Sequence, residues 1–199
     1  MELPDALQAL IPVVAILRRL GVRHYVCGSL ASTFHGTSRS TTDVDLVAEL
    51  SPSDVASFVE AIRSDYYVNE RMILDAIARK SCFNVIHLPT SFKVDVFAAK
   101  GRPYDRNVME RIEDKIFDES VPTLRLSLPS AEDTILAKLE WYRLGDEVSE
   151  RQWLDVLGVM KVSGPSLDRA YLERWAGELC VADLLAKAWN EVEASLRER

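Results

Sequence analysis

Three aspartates fall on the polar faces of predicted strands, where their carboxylates could act together. Asp43 and Asp45 alternate with apolar residues over 43–48, so both carboxylates point to the same face of the strand. Asp95 lies in another predicted strand, 92–97, on the face opposite its core-facing valines. Carboxylates on adjacent strands repel one another unless a cation or a proton lies between them, and oxygen-only ligands favour Mg2+ or Mn2+ over zinc. The pattern predicts a divalent metal site that would suit in-line phosphoryl or nucleotidyl displacement.

A Gly-Ser pair is the predicted phosphate-binding turn. Gly28-Ser29 follows a short predicted strand, 24–27, and precedes a short predicted helix, 30–35. The glycine lets the chain turn closely past a ligand, the hydroxyl donates a hydrogen bond, and free N–H groups at a helix N-terminus attract anions. Other phosphate-binding or nucleophilic motifs do not compete with this interpretation. The sequence has no P-loop motif, and its histidines lack the nearby nucleophile and orienting acid of a Ser-His-Asp triad.

Each feature has a plainer interpretation when it is taken alone. An Asp-x-Asp pair is more often solvated surface, and a Gly-Ser pair is usually an ordinary turn. Asp95 could be the exposed partner of Lys93 or of an arginine. The functional interpretation depends on the order of the features along the chain: strand, Gly-Ser, short helix, basic loop, Asp-x-Asp on a strand, and a third Asp on a later strand.

The element pattern changes near Ser130. Before this point helices and strands alternate, with helices predicted at 6–20, 51–62, 70–80 and 104–111 and strands at 24–27, 43–48, 82–88, 92–97 and 124–128. After it the patterns are helical, with one helix between a capping box at Ser130 and Gly145 and others at 150–162, 167–179 and 181–197. We therefore expect an α+β fold with a mixed sheet flanked by helices at 1–128 and a helical C-terminal subdomain at 129–199.

Composition excludes several classes of protein. The 31 acidic residues outnumber the 24 basic ones, which gives a net charge of −7, and 48% of the chain is hydrophobic, as expected of a soluble globular protein. The acidic balance disfavours nonspecific binding to nucleic acid or anionic lipid. No apolar run approaches the roughly 20 residues that cross a bilayer, and the acidic N-terminus does not resemble a secretory signal, so we expect a cytoplasmic protein without a membrane partner. Cys27, Cys82 and Cys180 form no CxxC pair and are expected to be buried free thiols.

The chain from Tyr25 to Leu157 resembles the nucleotidyltransferase superfamily, which has the DNA polymerase beta-like fold. The most specific match is Gly28-Ser29 followed by Arg39-Ser40-Thr41-Thr42-Asp43-Val44-Asp45, an Arg-x-Thr-x-Asp-x-Asp run. This pattern resembles the branch that contains the AbiEii-like toxins of bacterial abortive-infection systems and related minimal nucleotidyltransferases. A later segment, 132–139, is similar to the lysine-bearing helix of that branch. A further segment, 151–155, matches its Arg-Asp-x-x-Asp stretch more loosely, because Gln152 replaces the first aspartate.

The resemblance implies metal and phosphate ligands at matching positions. They are Asp43, Asp45 and Asp95 for Mg2+ or Mn2+, and Gly28, Ser29, Arg39 and Lys138 for the triphosphate of an NTP such as ATP. Asp95 would also help to deprotonate an acceptor hydroxyl. From the residues alone, Arg39 could equally be an exposed loop cation, and the Lys138 side chain could extend past the edge of the core.

The function implied by the resemblance is metal-dependent transfer of an NMP from an NTP to an acceptor hydroxyl by a catalytic domain at 1–128. The acceptor stays open among RNA or tRNA, a protein and a small molecule. The AbiEii-like branch also implies a toxin with an antitoxin partner. A noncatalytic nucleotide sensor or scaffold with the same fold is the alternative, and a phosphohydrolase with water as acceptor is a second one. The presence of all three carboxylates argues against a scaffold, because without metal their repulsion only costs stability.

Overall fold

A mixed sheet organises the first part of the chain in a computed structural model, which describes residues 3–36, 40–117 and 124–197. Within these residues the sheet has five strands: β1 (His24–Val26), β2 (Asp43–Ala48), β3 (Tyr66–Tyr67), β4 (Cys82–His87) and β5 (Phe92–Ala98). Their order is β1-β2-β5-β4-β3, in which β2 and β5 run parallel and all other neighbours are antiparallel. A separate antiparallel pair consists of β6 (Glu113–Ile116) and β7 (Arg125–Leu128). The parallel pair at the middle of the sheet carries the predicted carboxylates.

Helices occupy most of the remaining described chain. Those before β7 are α1 (Asp5–Arg19), α2 (Gly28–His35), α3 (Val55–Ile62), α4 (Glu70–Arg79) and α5 (Pro103–Arg111). Those after β7 are α6 (Ala131–Leu144), α7 (Glu150–Ser163), α8 (Arg169–Glu178) and α9 (Ala182–Arg197). Ser130 caps α6 as its sequence predicts, because its hydroxyl accepts a hydrogen bond from the Asp133 N–H at 3.1 Å. No helix among the described residues is long and apolar enough to cross a membrane.

One face of the five-stranded sheet forms the core of the first part of the chain. Alternate residues of β2 and β5 are buried, and the residues between them are half-buried. Helix α1 packs against both strands and buries an apolar stripe that includes Leu10 and Leu17. On α3, Phe58 meets Phe83 of β4 in an edge-to-face ring contact. The side chains at the alternate positions of these strands therefore project from the other face of the sheet.

The described chain clusters into two compact units. The first consists of the described residues within Met1–Leu30 and Ser40–Leu128, and the second consists of those within Ala31–Arg39 and Pro129–Arg199. In the second unit, His35 Nε2 is hydrogen-bonded to the Pro129 carbonyl at 2.8 Å, which ties the end of α2 to the start of the helical region. The functional division into a catalytic domain at 1–128 and a subdomain at 129–199 stays a prediction.

The predicted fold class is confirmed: a mixed α+β sheet is flanked by helices. Two strands were not predicted, because β3 is only two residues long and β6 is a largely exposed edge strand without apolar alternation. Helix α2 also begins earlier than expected, at Gly28. The expectation of buried cysteines is wrong: the three thiols are free, but Cys82 and Cys180 are exposed and Cys27 is half-buried.

Candidate active site

Two of the predicted carboxylates lie side by side on the parallel strands. In the register of β2 and β5, Asp45 pairs with Asp95 and Asp43 pairs with Lys93. Neighbouring strands lie about 4.8 Å apart, so these four side chains project from one small area of the same sheet face. All four are half-buried and thus partly accessible to solvent. The strand register brings together the three aspartates that the sequence singled out.

Lys93 forms an ion pair inside this cluster. Its Nζ lies 2.7 Å from Asp95 Oδ2, and the exposed fractions of the two side chains are 42% and 15%. The hydrogen bond to Asp95 is the main cause that raises the pKa of Lys93 above its ordinary value; burial opposes this, and the charges of Asp95, Asp43 and Asp45 add to it. The ammonium of Lys93 is therefore subject to the field of all three carboxylates. The pairing of Asp95 with Lys93, an alternative open from the sequence, is present in the structure, but the Asp95 side chain in it is half-buried and not exposed.

Gly28 is the point at which the predicted phosphate-binding turn meets the carboxylates. Its φ is +59°, a left-handed conformation that glycine adopts readily. A Cβ at this position would lie 1.8 Å from Asp45 Oδ2, so only a glycine lets the backbone approach the carboxylate this closely. The Cys27 N–H also donates to the Asp45 carbonyl at 2.9 Å, which holds the turn against β2. Ser29 follows as the second residue of α2, and it is largely buried.

Thr41 orients the first carboxylate from the preceding loop. Its hydroxyl donates to the Asp43 carbonyl at 2.9 Å and lies 3.3 Å from Asp43 Oδ1. This contact gives the threonine of the Arg-x-Thr-x-Asp-x-Asp run a physical role at the start of β2. Arg39, the first residue of that run, lies outside the described residues.

Strand β4 adds two side chains that sequence reasoning missed. Asn84 pairs in register with Asp95, and Cys82 lies two residues away on the same exposed face. Although Cys82 is exposed as a residue, burial around its thiol raises its pKa to about 12, and the negative charges of Asp95 and Asp45 add to the effect. Alternation in β4 indicates which face these residues occupy, but the register that places them beside Asp95 has no signal in the sequence.

The metal that the resemblance implies would have oxygen donors at this site. Three carboxylates on one face suit the oxygen preference of Mg2+ or Mn2+. Within the described residues, however, no three His, Cys, Asp or Glu side chains are arranged to hold a metal ion as they stand. Lys93 occupies an oxygen of Asp95, the third expected ligand. The donor chemistry fits a hard divalent cation, which would have to compete with the Lys93 ammonium for Asp95.

Lys138 lies in the second unit, where it forms an ion pair between helices. Its Nζ is 2.7 Å from Asp155 Oδ2, and the side chains of the two residues, on α6 and α7, are 7% and 5% exposed. Asp155 is the last residue of the weakly matching 151–155 segment, so both later motifs of the resemblance meet in this contact. The role of Lys138 toward phosphate stays a prediction.

A solved structure named as nucleotidyltransferase-like has a similar fold. A nucleotidyltransferase-like antigenic protein from Paracoccidioides brasiliensis aligns with a TM-score of 0.61 at 15% identity, over 97% of this chain and 93% of that one. The chain has a nucleotidyltransferase fold.

Two proteins solved with an antibiotic or an antibiotic adduct share this fold. ANT(2'')-Ia, solved in complex with adenylyl-2''-tobramycin, aligns with a TM-score of 0.60 at 10% identity, over 88% of this chain and 97% of that one. The lincosamide antibiotic adenylyltransferase LnuA, solved with lincomycin, aligns with a TM-score of 0.53 at 10% identity, over 81% of this chain and 99% of that one. No family model and no curated protein matches the sequence.

Proposed function

We propose that this chain is a metal-dependent nucleotidyltransferase that moves an NMP from an NTP to an acceptor hydroxyl. The observation that supports this most strongly is the register of β2 and β5, which puts Asp45 beside Asp95. Gly28, at the head of α2, packs its backbone against the Asp45 carboxylate. The turn that we propose binds phosphate and the carboxylate cluster thus lie next to each other on a nucleotidyltransferase fold.

The residues divide into those that bind the donor and those that act on the acceptor. The Gly28 backbone, the Ser29 hydroxyl and the N-terminus of α2 would hold the triphosphate, because the positive end of the helix dipole favours anions. Asp43 and Asp45 would ligate Mg2+ or Mn2+, with Asp95 as a further ligand. When bound, the cation would neutralise charge on the triphosphate and on the leaving pyrophosphate.

Asp95 is the group that would prepare the acceptor. It would accept the proton of the acceptor hydroxyl, whose oxygen attacks the α-phosphorus while the bond between that phosphorus and the pyrophosphate oxygen breaks. The products are the nucleotidylated acceptor and pyrophosphate. Most of the rate enhancement would come from alignment and charge neutralisation on the rigid parallel strands.

A small hydroxyl-bearing molecule is the acceptor class that we favour over RNA, tRNA and protein. Two proteins of similar fold were solved with tobramycin adduct or lincomycin bound, and the net charge of −7 suits a cationic acceptor better than a polyanion. The AbiEii-like toxin role and an antitoxin partner rest on the sequence resemblance alone. They remain secondary proposals.

The experiment that tests the proposal is transfer of label from α-labelled NTPs. Purified protein with Mg2+ or Mn2+ is offered each NTP in turn with aminoglycosides, lincosamides, total RNA and protein extract. The test variant is Asp43→Asn/Asp45→Asn, which removes two of the proposed metal ligands. The matched control is Asp75→Asn, which removes an exposed carboxylate from α4. We expect label in one acceptor class with wild type and Asp75→Asn, and none with the double variant.

A noncatalytic nucleotide sensor is the second candidate, and two observations favour it: Lys93 pairs with Asp95, and the described residues include no group of three His, Cys, Asp or Glu side chains arranged to hold a metal ion. The same experiment separates the candidates. Nucleotide binding with neither label transfer nor hydrolysis supports the sensor. Hydrolysis of the NTP without labelled acceptor supports a phosphohydrolase.

A further inference from the structure

We propose that Lys93 is the resident counter-cation of the carboxylate cluster, and that a divalent metal binds Asp95 only by displacing it. The inference rests on the proposed function, because it concerns the metal site of that same reaction. It assigns a positioning role to a residue that the resemblance does not include. Lys93 would hold the cluster in order before metal arrives and would lower the affinity for metal alone.

The position of Lys93 on the sheet supports this role. It precedes Asp95 by two residues on β5, so both side chains project from the same face, and it is in register with Asp43 on β2. Its Nζ lies 2.7 Å from Asp95 Oδ2. The Lys93 ammonium thus lies on the same small area of sheet as the three carboxylates.

The difference in exposure between the two partners explains how exchange would occur. The Lys93 side chain is 42% exposed and has a long flexible stem, so it can move into solvent at little cost. The Asp95 side chain is only 15% exposed and lies on a paired strand, so its carboxylate stays in place. Metal binding would therefore move the lysine and leave the carboxylate where it is.

Charge balance explains both why the carboxylates need a counter-cation and why Lys93 and a metal cannot bind Asp95 together. Without a cation, the negative charges of Asp43, Asp45 and Asp95 would repel one another across adjacent strands. With both a divalent metal and the ammonium on Asp95, the two cations would repel each other at short range. Occupancy of Asp95 by Lys93 and by metal is consequently competitive.

The test is calorimetric titration of the full chain with Mn2+ alone, in the absence of nucleotide. The variants are Lys93→Met and Lys93→Gln, and the matched control is Lys115→Met. Lys115 also pairs with a carboxylate two residues away on a strand, Glu113, and its side chain is 43% exposed. We expect both Lys93 variants to bind Mn2+ about fivefold or more tightly than wild type, and Lys115→Met to bind like wild type.

Thermal unfolding in a chelator gives a readout that does not depend on metal affinity. Lys93→Met should unfold at a lower temperature than Lys115→Met in EDTA, because its carboxylates lose their counter-cation. Added Mn2+ should then raise the unfolding temperature of Lys93→Met by more than it raises that of wild type.

The outcomes separate this inference from the proposed function. Equal Mn2+ affinity in wild type and in both Lys93 variants would overturn the competition and leave the metal site standing. Absence of Mn2+ binding in every variant, Lys93→Met included, would overturn both the competition and the proposed metal site. Binding by the Lys93 variants but not by wild type would support the competition in its strongest form.

Discussion

Two lysine–aspartate pairs in this protein have the same contact distance and different surroundings. Lys93 Nζ and Asp95 Oδ2 are 2.7 Å apart, as are Lys138 Nζ and Asp155 Oδ2. The first pair lies on an open sheet face with two further carboxylates beside it. The second lies between helices, with both side chains less than a tenth exposed.

The difference indicates which pair can exchange its partner. The Lys93 side chain is partly exposed, so it can move into solvent when another cation neutralises the carboxylates in its place. A buried pair cannot lose one member without leaving the other charge desolvated. We therefore assign ligand exchange to the cluster of Asp43, Asp45, Asp95 and Lys93 on the sheet, called the sheet cluster below. The pair of Lys138 and Asp155, called the helical pair, makes a structural contribution.

Of the changes predicted here, removal of metal should have the largest effect. It should abolish the activity of the sheet cluster and leave the helical pair intact. We expect EDTA to lower NMP transfer at least about a thousandfold, because the charge of the triphosphate is no longer neutralised. Mg2+ or Mn2+ should restore the rate. The α-label assay measures this effect, and near-UV circular dichroism should show that the fold persists in EDTA. If transfer continues undiminished in EDTA, the sheet cluster does not work through a bound metal. The assignment of ligand exchange to that cluster would then be wrong.

Breaking the helical pair should cost stability. Lys138→Met leaves the Asp155 carboxylate buried without its ammonium, and we expect a loss of about 3 kcal/mol in the free energy of unfolding. Urea denaturation measures the change. The control is Arg79→Met, which breaks the exposed pair with Asp75 and should cost less than about 0.5 kcal/mol. The double variant Lys138→Met/Asp155→Leu should recover most of the loss, and failure to recover would show that the pair is not the source of the stability.

The close approach of Gly28 to Asp45 should make this position intolerant of a side chain. Both Gly28→Ala and Gly21→Ala place an alanine at positive φ, but nothing lies within 4 Å of a Cβ at Gly21. We expect Gly28→Ala to cost about 2 kcal/mol more than Gly21→Ala in urea denaturation, from the clash with the carboxylate. Equal losses would mean that the carboxylate can move aside freely.

Cys82 should report the charge of the sheet cluster, with the smallest effect of the four. Its pKa is raised to about 12 by burial and by the charges of Asp95 and Asp45, so almost all of it is thiol at pH 8.5. Asp95→Asn removes one of these charges, lowers that pKa and should speed alkylation of Cys82 by iodoacetamide about two- to threefold. Peptide mass spectrometry measures the rate, with Cys180 in the same sample as reference. An unchanged ratio would show that Asp95 does not act on the thiol.

The faces of the strands were predictable from the sequence, because alternation of buried and half-buried residues follows the two-residue period of a strand. This correctly placed Asp43, Asp45 and Asp95 opposite the core. The hairpin of β4 and β5 was predicted for the same reason and is confirmed. The roles of these aspartates stay predictions.

The contact partners of the charged residues could not be predicted from the sequence. Parallel pairing of β2 with β5 depends on the packing of the intervening chain, so no local pattern places Asp45 beside Asp95. The contact of Lys138 with Asp155 likewise depends on how α6 packs on α7. From the sequence, Asp95 could be the exposed partner of Lys93 or of an arginine, but no local pattern places Lys93 in register with Asp43 on the neighbouring strand.

The most direct test of the account compares Asp45→Asn with Asp155→Asn for label transfer and thermal unfolding in the same preparations. Asp45→Asn should lose transfer while its unfolding temperature stays close to that of wild type, because one charge of a repelling cluster is removed. Asp155→Asn should unfold at a clearly lower temperature. An Asp45→Asn protein that is folded and still transfers label at the wild-type rate would contradict the assignment of the sheet carboxylates as the catalytic site.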